Sequence, residues 1–328
     1  MNIKKIIATG FMAMGALAAF ATPTVTDVVA KQRYPWNGLV DITCNVTGIS
    51  GTAKTFWFTA AAVMPDTSNV RNASHIWVVQ NGTNSTDLAV RSNGAYRLLW
   101  DAKADLGQVV YDNMVVRVDL DMHGKVQLWE RGPYWATTNI GAENPEDAGY
   151  YFWWGDTVGY KRKNNKWVAT DGSSLNFSFK GSNTPTYYKH VATLQSEGWI
   201  TADGVLAPAH DAAHVHWGGD WRMPTDAEFS ALISNCTTTW TTRNGVYGRL
   251  VTGKGAYADR SIFLPAVGSV YDSDLFDSGS RGRYWSSTPT SDDFYNARDL
   301  YFDSGSFKRS FNYRYFGRSV RPVRGFAE

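Results

Sequence analysis

Strict alternation of apolar and polar residues is the feature that most limits how the first part of this chain can fold. Apolar residues occupy every second position of residues 40–46 and 114–120, and residues 96–100 alternate less cleanly. A period of two places one face of a strand in a core and the other in water, as in antiparallel sheets. The pattern predicts an antiparallel β-sandwich of immunoglobulin-like architecture over residues 22–124. It contains no catalytic constellation, so we interpret it as a spacer or docking module.

The first residues have the pattern of a secretory signal peptide. Lys4 and Lys5 precede an apolar stretch over residues 6–20, and Ala19-Phe20-Ala21 is a small-residue cleavage motif. A membrane anchor is the alternative, but the stretch is shorter than the roughly 20 apolar residues of a spanning helix. No later stretch is apolar enough to span, so no transmembrane helix is expected in the mature chain. We therefore expect a signal peptide over residues 1–21 and a protein that is secreted or lies at the cell surface.

Charge and cysteine usage exclude several classes of protein. The chain carries 32 Lys and Arg against 30 Asp and Glu, a net charge of +2, which argues against a nucleic-acid binder. Its two cysteines, Cys44 and Cys236, fall in different predicted domains, so we expect two buried thiols rather than a disulfide. Their spacing does not match a zinc site, and no metal or cofactor is predicted from them.

The second part of the chain, from about residue 126, is dense in Trp, Gly and Asn and contains one well-marked helix. Thr225 and Glu228 form a T-x-x-E capping box, and Phe229, Leu232 and Ile233 share one helical face. The helix is expected to end near Asn235, before a β-branched run. Residues 319–323 are expected to form a terminal strand near the beginning of this domain. Four apolar residues of the last strands are expected in the core, namely Leu300, Phe302, Val320 and Val323.

Short ordered segments spread over residues 126 to 324 resemble the Fibrobacter succinogenes major paralogous domain family. The segments are YWATTNIG at 134–141, YFWWGD at 151–156, WGGDWRMPT at 217–225, Glu228-Phe229, NGVYG at 244–248, FLPA at 263–266, YWSS at 284–287 and GRSVRPV at 317–323.

This resemblance implies a C-type-lectin-like fold, distantly similar to the formylglycine-generating-enzyme fold, over residues 125–328. The predicted fold class is thus β-rich α+β, with an N-terminal antiparallel β-sandwich followed by a C-type-lectin-like domain. The same fold carries the variable proteins of diversity-generating retroelements, which diversify surface residues near the C-terminus. Arg222, Arg318 and Arg321 lie in family landmarks and are expected to hold the framework.

Two kinds of chemistry have to be compared with structural roles of the same residues. Formylglycine generation resembles a copper-dependent oxidation with paired thiols. The second domain has one cysteine, Cys236, so a thiolate pair cannot form within it and this activity is not expected. Calcium-lectin signatures are absent, and the aspartates Asp272, Asp274 and Asp277 leave a calcium site as an alternative to an ordinary turn.

Histidines and a further group of carboxylates leave two more alternatives. His210, His214 and His216 could present imidazoles to zinc, although an exposed loop is favoured. Glu143, paired with Glu146 or Asp147 in a polar loop, leaves a glycosidase pair open without positive support.

The segment from residue 284 to 316 is crowded with aromatics separated by Ser, Asn, Asp, Arg and Gly, a composition typical of binding loops. Residues 281–324 hold nine Arg or Lys against four Asp, which favours anionic partners. A β-sheet core is the alternative explanation of the aromatics. The predicted ligand-binding residues are Asp292, Asp293, Phe294, Tyr295, Arg298, Phe307, Lys308, Arg309, Phe311, Tyr313 and Tyr315.

Together these observations predict a non-enzymatic, adhesin-like or receptor-like exported protein. Its ligand would be an extracellular glycan or protein, bound through an aromatic, basic C-terminal face that a retroelement could diversify. The alternatives are a polysaccharide-acting enzyme and a structural component of the cell surface.

Overall fold

The computed structural model describes most of the chain as two compact units, residues 1–124 and 125–328. The protein is β-rich, with 48% of residues in strands and 13% in helices, as predicted. No helix among the described residues has the length and apolarity needed to cross a membrane. The described residues are 2–3, 6–10, 23–34, 37–49, 56–63, 70–73, 75–85, 88–107, 110–111, 114–121, 123–164, 166–172, 179–291 and 294–325.

The N-terminal unit is built from short strands in mainly antiparallel sheets. One sheet has the order β3-β4-β10-β7-β8, and a second has the order β2-β12-β5-β6 with β9 beside β5. Its elements are β1 (Asn2–Ile3), β2 (Ile6–Gly10), β3 (Thr24–Gln32), β4 (Leu39–Thr47), β5 (Phe56–Val63), β6 (Val70–Asn72), β7 (Ile76–Gln80), β8 (Thr83–Ser85), β9 (Ala89–Val90), β10 (Gly94–Asp101), α1 (Ala102–Leu106), β11 (Val110–Tyr111) and β12 (Met114–Asp121).

The predicted alternation is confirmed in β4 and β12. In each strand every second residue is buried, as in Val40 and Ile42 of β4 and Val116 and Val118 of β12. These side chains join one hydrophobic cluster that includes residues of both five-stranded sheets. The five-residue helix α1 was not expected from the sequence; Asp101 caps it by accepting a hydrogen bond from the backbone N–H of Ala104.

The predicted signal peptide is described only in part. Its cleavage motif, residues 19–21, lies outside the described residues. Strand β2, within the predicted peptide, pairs in parallel with Met114–Val118 of β12. Removal of residues 1–21 would therefore take this strand from the edge of its sheet.

The C-terminal unit holds smaller antiparallel sheets joined by irregular segments. Its strands are β13 (Lys125–Gln127), β14 (Tyr134–Ala136), β15 (Tyr160–Lys163), β16 (Lys166–Ala169), β17 (Trp221–Arg222), β18 (Cys236–Arg243), β19 (Val246–Gly253), β20 (Ser261–Pro265), β21 (Ser269–Tyr271), β22 (Asp274–Phe276), β23 (Gly282–Pro289), β24 (Asn296–Phe302), β25 (Phe307–Tyr313) and β26 (Val323–Arg324). Its helices are α2 (Val191–Ser196), α3 (Ala212–Trp217) and α4 (Asp226–Asn235), with 3-10 turns at Gly181–Asn183, Pro208–His210 and Gly255–Tyr257.

The last strand closes the unit beside its beginning, as the sequence predicted. In β26, Val323 pairs with Trp135 of β14 and with Arg222 of β17. The predicted capping box of α4 is also confirmed, because the Thr225 hydroxyl accepts from the N–H of Glu228 while the Glu228 carboxylate accepts from the N–H of Thr225.

Buried arginines hold this unit together. Arg321 is fully buried and donates to the Asn139 side chain and to the carbonyls of Ala136, Thr137 and Phe263, at 2.8–3.0 Å. Burial lowers the pKa of Arg321 to about 10, so it stays charged at neutral pH. Arg222 is likewise held, by two hydrogen bonds to the Glu228 carboxylate.

Both cysteines are buried free thiols, Cys44 in the N-terminal unit and Cys236 in the C-terminal unit. Burial raises the pKa of each thiol to about 11. A thiolate is the reactive form of cysteine, so neither residue is suited to act as a nucleophile.

Candidate functional site

The three-stranded sheet β23-β24-β25 carries most of the predicted binding residues, and its two faces differ. Strand β25 is a regular edge strand paired with β24, with Phe311 opposite Arg298 and Asn312 opposite Ala297. Because side chains alternate across a strand, Phe311 and Arg298 share one face, the Phe311 face. Asn312, Tyr301 and Arg283 share the other, the Arg283 face.

The arginines of the Phe311 face already interact with other side chains of the protein. Arg309 donates to the Asp226 carboxylate at 2.8 Å, and the Arg298 guanidinium lies 5.9 Å from the centre of the Phe311 ring. Phe311 itself is 55% exposed. Phe307 stacks on Phe302 and packs against the core, so it contributes more to the core than to a binding surface.

Lys308 lies on the opposite side of the same strand. Its ammonium group is 5.5 Å from the centre of the Tyr301 ring, and the Arg283 guanidinium is 4.6 Å from that ring. Lys308 is exposed, so it adds positive charge to the Arg283 face.

Five tyrosines from three separate segments form a continuous surface, here called the tyrosine cluster. The Tyr187 ring lies 4.3 Å from Tyr188, 5.2 Å from Tyr295 and 4.8 Å from Tyr315. Tyr313 stacks on Tyr315 at 5.2 Å. Tyr188 is 64% exposed and Tyr313 is 42% exposed. Tyrosine offers a large rigid contact area with a polar tip, which makes such a surface suited to binding.

The sequence predicted three members of this cluster and missed two. Tyr295, Tyr313 and Tyr315 were predicted, whereas Tyr187 and Tyr188 come from a Pro-containing polar stretch about a hundred residues earlier. Tyr188 has a positive φ of 63°, which is rare for a bulky side chain and places strain at this position. Strain of this kind concentrates at binding and catalytic sites, and it was invisible in the sequence.

Arg314 fixes the three segments of the tyrosine cluster relative to one another. Its fully buried guanidinium donates to the carbonyls of Thr186 and Lys189, each at 2.8 Å, and to the carbonyl of Asn296 at 2.9 Å. Its backbone N–H donates to the carbonyl of Tyr295. One buried cation thus holds the backbone on both sides of Tyr187-Tyr188 and at Tyr295, next to Tyr313 and Tyr315.

The structure describes part of the predicted binding segment 292–295, at the Tyr295 end of the tyrosine cluster. Phe294 packs on Tyr295 and on His190, with ring centres 4.2 and 4.7 Å apart. Asp292 and Asp293, two of the predicted binding residues, lie outside the described residues.

A cavity of about 390 Å³ adjoins the other end of the tyrosine cluster. Its size falls in the range of small-molecule sites, roughly 300–1,000 Å³. Tyr315 belongs to both the cluster and the cavity, so the aromatic surface continues from one into the other. The residues that line it are Ser269, Tyr271, Phe276, Asp277, Arg283, Asn312, Tyr315 and Phe316.

A chain of charged residues leads from this cavity into the core. Arg283, which lines the cavity, donates to Oδ2 of Asp299 at 3.1 Å. Asp299 is fully buried and also accepts from Nη1 of the fully buried Arg318. The Arg318 guanidinium lies 4.2 Å from the centre of the Trp285 ring. Burial lowers the pKa of Arg318 to about 10, so the two arginines and one aspartate together carry one positive charge.

The aspartates near the cavity are engaged with cations of the protein. The Asp272 carboxylate pairs with Lys180 at 2.8 Å and that of Asp277 pairs with Arg281 at 3.0 Å. Among the residues that the structure describes, no three His, Cys, Asp or Glu side chains are grouped so as to hold a metal ion. The run of Asp272, Asp274 and Asp277 lies in the β21–β22 hairpin, with Asp274 at the start of β22 and ion pairs at Asp272 and Asp277.

The three histidines do not lie in an exposed loop, and that expectation was wrong. His210 ends a 3-10 turn and stacks on Trp199 at 4.0 Å. His214 and His216 belong to helix α3, and Nε2 of His216 lies 2.9 Å from the carbonyl of Thr157. Burial lowers the pKa of His210 and His216. The helix forms because Asp211 caps it at the backbone N–H groups of Ala213 and His214.

The carboxylates of the polar loop at 143–147 also have structural partners. Glu146 pairs with Arg243 at 3.2 Å, and the Asp147 carboxylate accepts from the backbone N–H of Asn144 at 2.8 Å.

Comparison with known proteins gives no relative for this chain. No family model matches it, and no match is found among curated proteins or among solved structures.

Proposed function

We propose that this protein is an exported binding protein that holds an extracellular ligand on the tyrosine cluster and in the adjoining cavity. The observation that carries the proposal is the continuity of the aromatic surface from Tyr188 through Tyr315 into a cavity of about 390 Å³. Buried Arg314 holds this surface in place. A preorganised surface loses less conformational entropy when a ligand binds.

Of the two ligand classes, a glycan is favoured over a protein. The cavity walls present four aromatic rings, and Ser269 and Asn312 add a hydroxyl and an amide. Apolar walls with a few polar groups are typical of sites for small ligands, and a sugar offers both an apolar ring face and hydroxyls. A protein ligand would instead need a surface that extends well beyond the cavity.

Two alternative functions receive less support. Hydrolysis of a glycosidic bond usually requires two carboxyl groups. Among the described residues that line the cavity, Asp277 supplies the one carboxylate, and Arg281 pairs with it. A structural surface component would use exposed apolar residues for self-association, and it would not need the strained backbone of Tyr188.

We also propose a fold for each of the two units and secretion of the protein. An immunoglobulin-like sandwich over residues 22–124 is supported by two sheets with one shared hydrophobic cluster. A C-type-lectin-like domain over residues 125–328, similar to the Fibrobacter succinogenes major paralogous domain, is supported by the returning terminal strand and the buried Arg318 and Arg321. Secretion rests on the N-terminal sequence pattern alone.

Diversification by a retroelement is a finer form of this proposal, motivated by the resemblance and the Tyr-rich C-terminal segment. Sequencing the gene across many isolates tests it. Codon variation concentrated at residues 292–295 and at the exposed positions of 306–315, with Trp285, Arg314 and Val320 constant, is the expected result; uniform variation along the gene would contradict it.

A glycan array followed by matched variants tests the binding function. We expect the full chain to retain array ligands, and the double variant Tyr188→Ser, Tyr313→Ser to bind them about ten- to hundred-fold more weakly, because aromatic contacts are commonly worth about 1–3 kcal/mol. The matched control is Tyr247→Ser, since Tyr247 is 50% exposed and lies outside the cluster.

Three outcomes would contradict the proposal. Equal binding by the double variant and the control would place the ligand elsewhere. Release of product from a bound glycan would show that the protein is an enzyme. Self-association at low concentration that is unaffected by the double variant would support the structural alternative.

A further inference from the structure

The excess positive charge at the cavity lies on Arg283. Asp299 and Arg318 are fully buried and pair with each other, and Arg283 pairs with the same carboxylate, so the three groups carry one formal positive charge. A partly desolvated charge that shares its only counter-charge in this group is costly in a medium of low dielectric constant. An anion in the cavity would offset this excess, because Arg283 reaches the cavity with 19% of its side chain exposed.

The hydrogen bonds of Arg283 and Arg318 also favour an anion in the cavity. Nε and Nη2 of Arg318 are buried and donate to no acceptor among the described residues. The hydrogen bond of Arg283 to a described residue is made through Nη1 alone, to Asp299. A guanidinium presents five N–H donors in a planar fork that matches a carboxylate. Arg283 thus has donors left for a ligand, and Arg318 behind it raises the positive potential at the cavity.

The walls of the cavity fit a sugar ring beside such an anionic group. Tyr271 packs at 5.7 Å from Tyr315 and at 5.5 Å from Phe316, and Phe276, at 47% exposed, presents a fourth ring. Aromatic faces bind the apolar faces of sugars by contact area. Ser269 and Asn312 supply groups that can hydrogen-bond to hydroxyls.

The charge balance favours a singly charged ligand. The Asp277–Arg281 pair at the cavity is neutral, so the excess to be offset there is the single charge of Arg283, Asp299 and Arg318. A carboxylate carries one negative charge, whereas a phosphate monoester carries ≈ −1.5 to −2 at neutral pH and would be repelled more strongly by the Asp277 carboxylate that lines the cavity. The planar carboxylate also matches one guanidinium with two parallel hydrogen bonds.

We infer that the cavity binds a uronic acid unit of a glycan, with its carboxylate on Arg283 and its ring against Tyr271, Phe276 and Tyr315. This inference rests on the proposed function, that the tyrosine cluster and the cavity form a ligand-binding surface. It adds the chemical class of the ligand, an acidic sugar, and a residue that determines specificity, Arg283.

The probes are trigalacturonate and its fully methyl-esterified form, titrated calorimetrically into the full chain. Esterification removes the charge and leaves the sugar rings unchanged. We expect the acid to bind about ten- to hundred-fold more tightly than the ester, because hydrogen bonds to charged groups contribute about 1.5–3 kcal/mol. Arg283→Gln should reduce the affinity for the acid to that for the ester and leave the ester unchanged.

The folding of Arg283→Gln is checked separately, and two further variants, at Arg283 and at Arg309, test the planar fork and the face of the sheet. Arg283→Gln leaves Asp299 paired with Arg318, and its thermal transition should confirm that the unit folds. Arg283→Lys keeps the charge without the planar fork and should give an intermediate affinity for the acid. Arg309→Gln, on the opposite face of the same sheet, is the matched control and should bind both probes like the unmodified protein.

The possible failures are distinguishable. Equal affinity for acid and ester, equal affinity for a sulfated oligosaccharide of the same charge, or an unchanged ratio in Arg283→Gln would overturn the uronate inference. If glycan binding still depended on Tyr188 and Tyr313, the proposed function would stand without it. Absence of any ligand whose binding depends on these tyrosines would overturn both.

Discussion

Two groups of basic residues in the last strands of the chain have opposite environments. Arg314 and Arg321 are fully buried and donate to backbone carbonyls of segments far away in sequence. Arg298 and Arg309 are 37% and 46% exposed and share the Asp226 carboxylate. Residue type and local spacing do not distinguish the two groups, whereas the partners available to each guanidinium do.

Burial of some of these arginines reduces the positive charge that the segment offers to a ligand. Nine basic residues against four aspartates in residues 281–324 predicted a surface suited to anionic partners. Arg314, Arg318 and Arg321 are fully buried, so they contribute to the framework and to the potential within it. The positive charge that a ligand can reach is therefore smaller. It lies at Arg283 and Lys308 on one face of the sheet and at Arg298 and Arg309, which share one carboxylate, on the other.

Arg314→Met gives the largest expected effect and tests the buried group. Methionine keeps apolar contact with Trp154, whose ring lies 5.2 Å from the guanidinium carbon, but leaves the carbonyls of Thr186, Lys189 and Asn296 without this donor. We expect a loss of stability on the order of 3 kcal/mol, together with loss of glycan binding. Urea unfolding of the C-terminal unit measures it; an unfolding midpoint like that of the unmodified protein would show that Arg314 does not organise the tyrosine cluster.

The contrast between buried and exposed charged groups also applies to an acidic residue. Asp156 is buried, and none of the described cations forms an ion pair with it. Burial raises the pKa of Asp156 from 3.8 to about 7, and its Oδ2 accepts no hydrogen bond from the described residues. The folded protein therefore keeps this proton to higher pH than the unfolded chain. Stability falls as pH rises from about 4 to about 7 and is constant above.

Asp156→Asn should remove this pH dependence and stabilise the protein at pH values above 7. The rise of the pKa from 3.8 to about 7 corresponds to about 4 kcal/mol. The gain should be on the order of 2 kcal/mol, because the Asn amide keeps the hydrogen bond that Val158 donates to Oδ1 but buries N–H donors at the unpartnered Oδ2 position. Thermal unfolding of both proteins at several pH values measures the difference. A parallel pH dependence in both would mean that Asp156 is ionised in the folded state.

Local patterns in the sequence predicted much of the fold and only part of the site. The alternation of β4 and β12, the capping box of α4 and the terminal strand depend on neighbouring residues, and they were predicted. Tyr187 and Tyr188 were not, because Arg314 brings them to Tyr295 and Tyr315 from more than a hundred residues away. The aromatics of β25 gave no clear alternation because an edge strand can expose side chains on both faces.

Arg309→Met gives the smallest expected effect and tests the exposed group directly. It is the same substitution as Arg314→Met, five residues earlier in the chain. Arg309 forms a partly exposed ion pair with Asp226, and pairs of this kind contribute about 0–1 kcal/mol, so stability should change by less than about 1 kcal/mol. Glycan binding should be unchanged, because Arg309 is paired with Asp226 and does not line the cavity. Loss of binding in a folded Arg309→Met protein would instead place the ligand on the Phe311 face and would make Arg298 and Phe311, which the sequence also predicted as binding residues, the next to substitute.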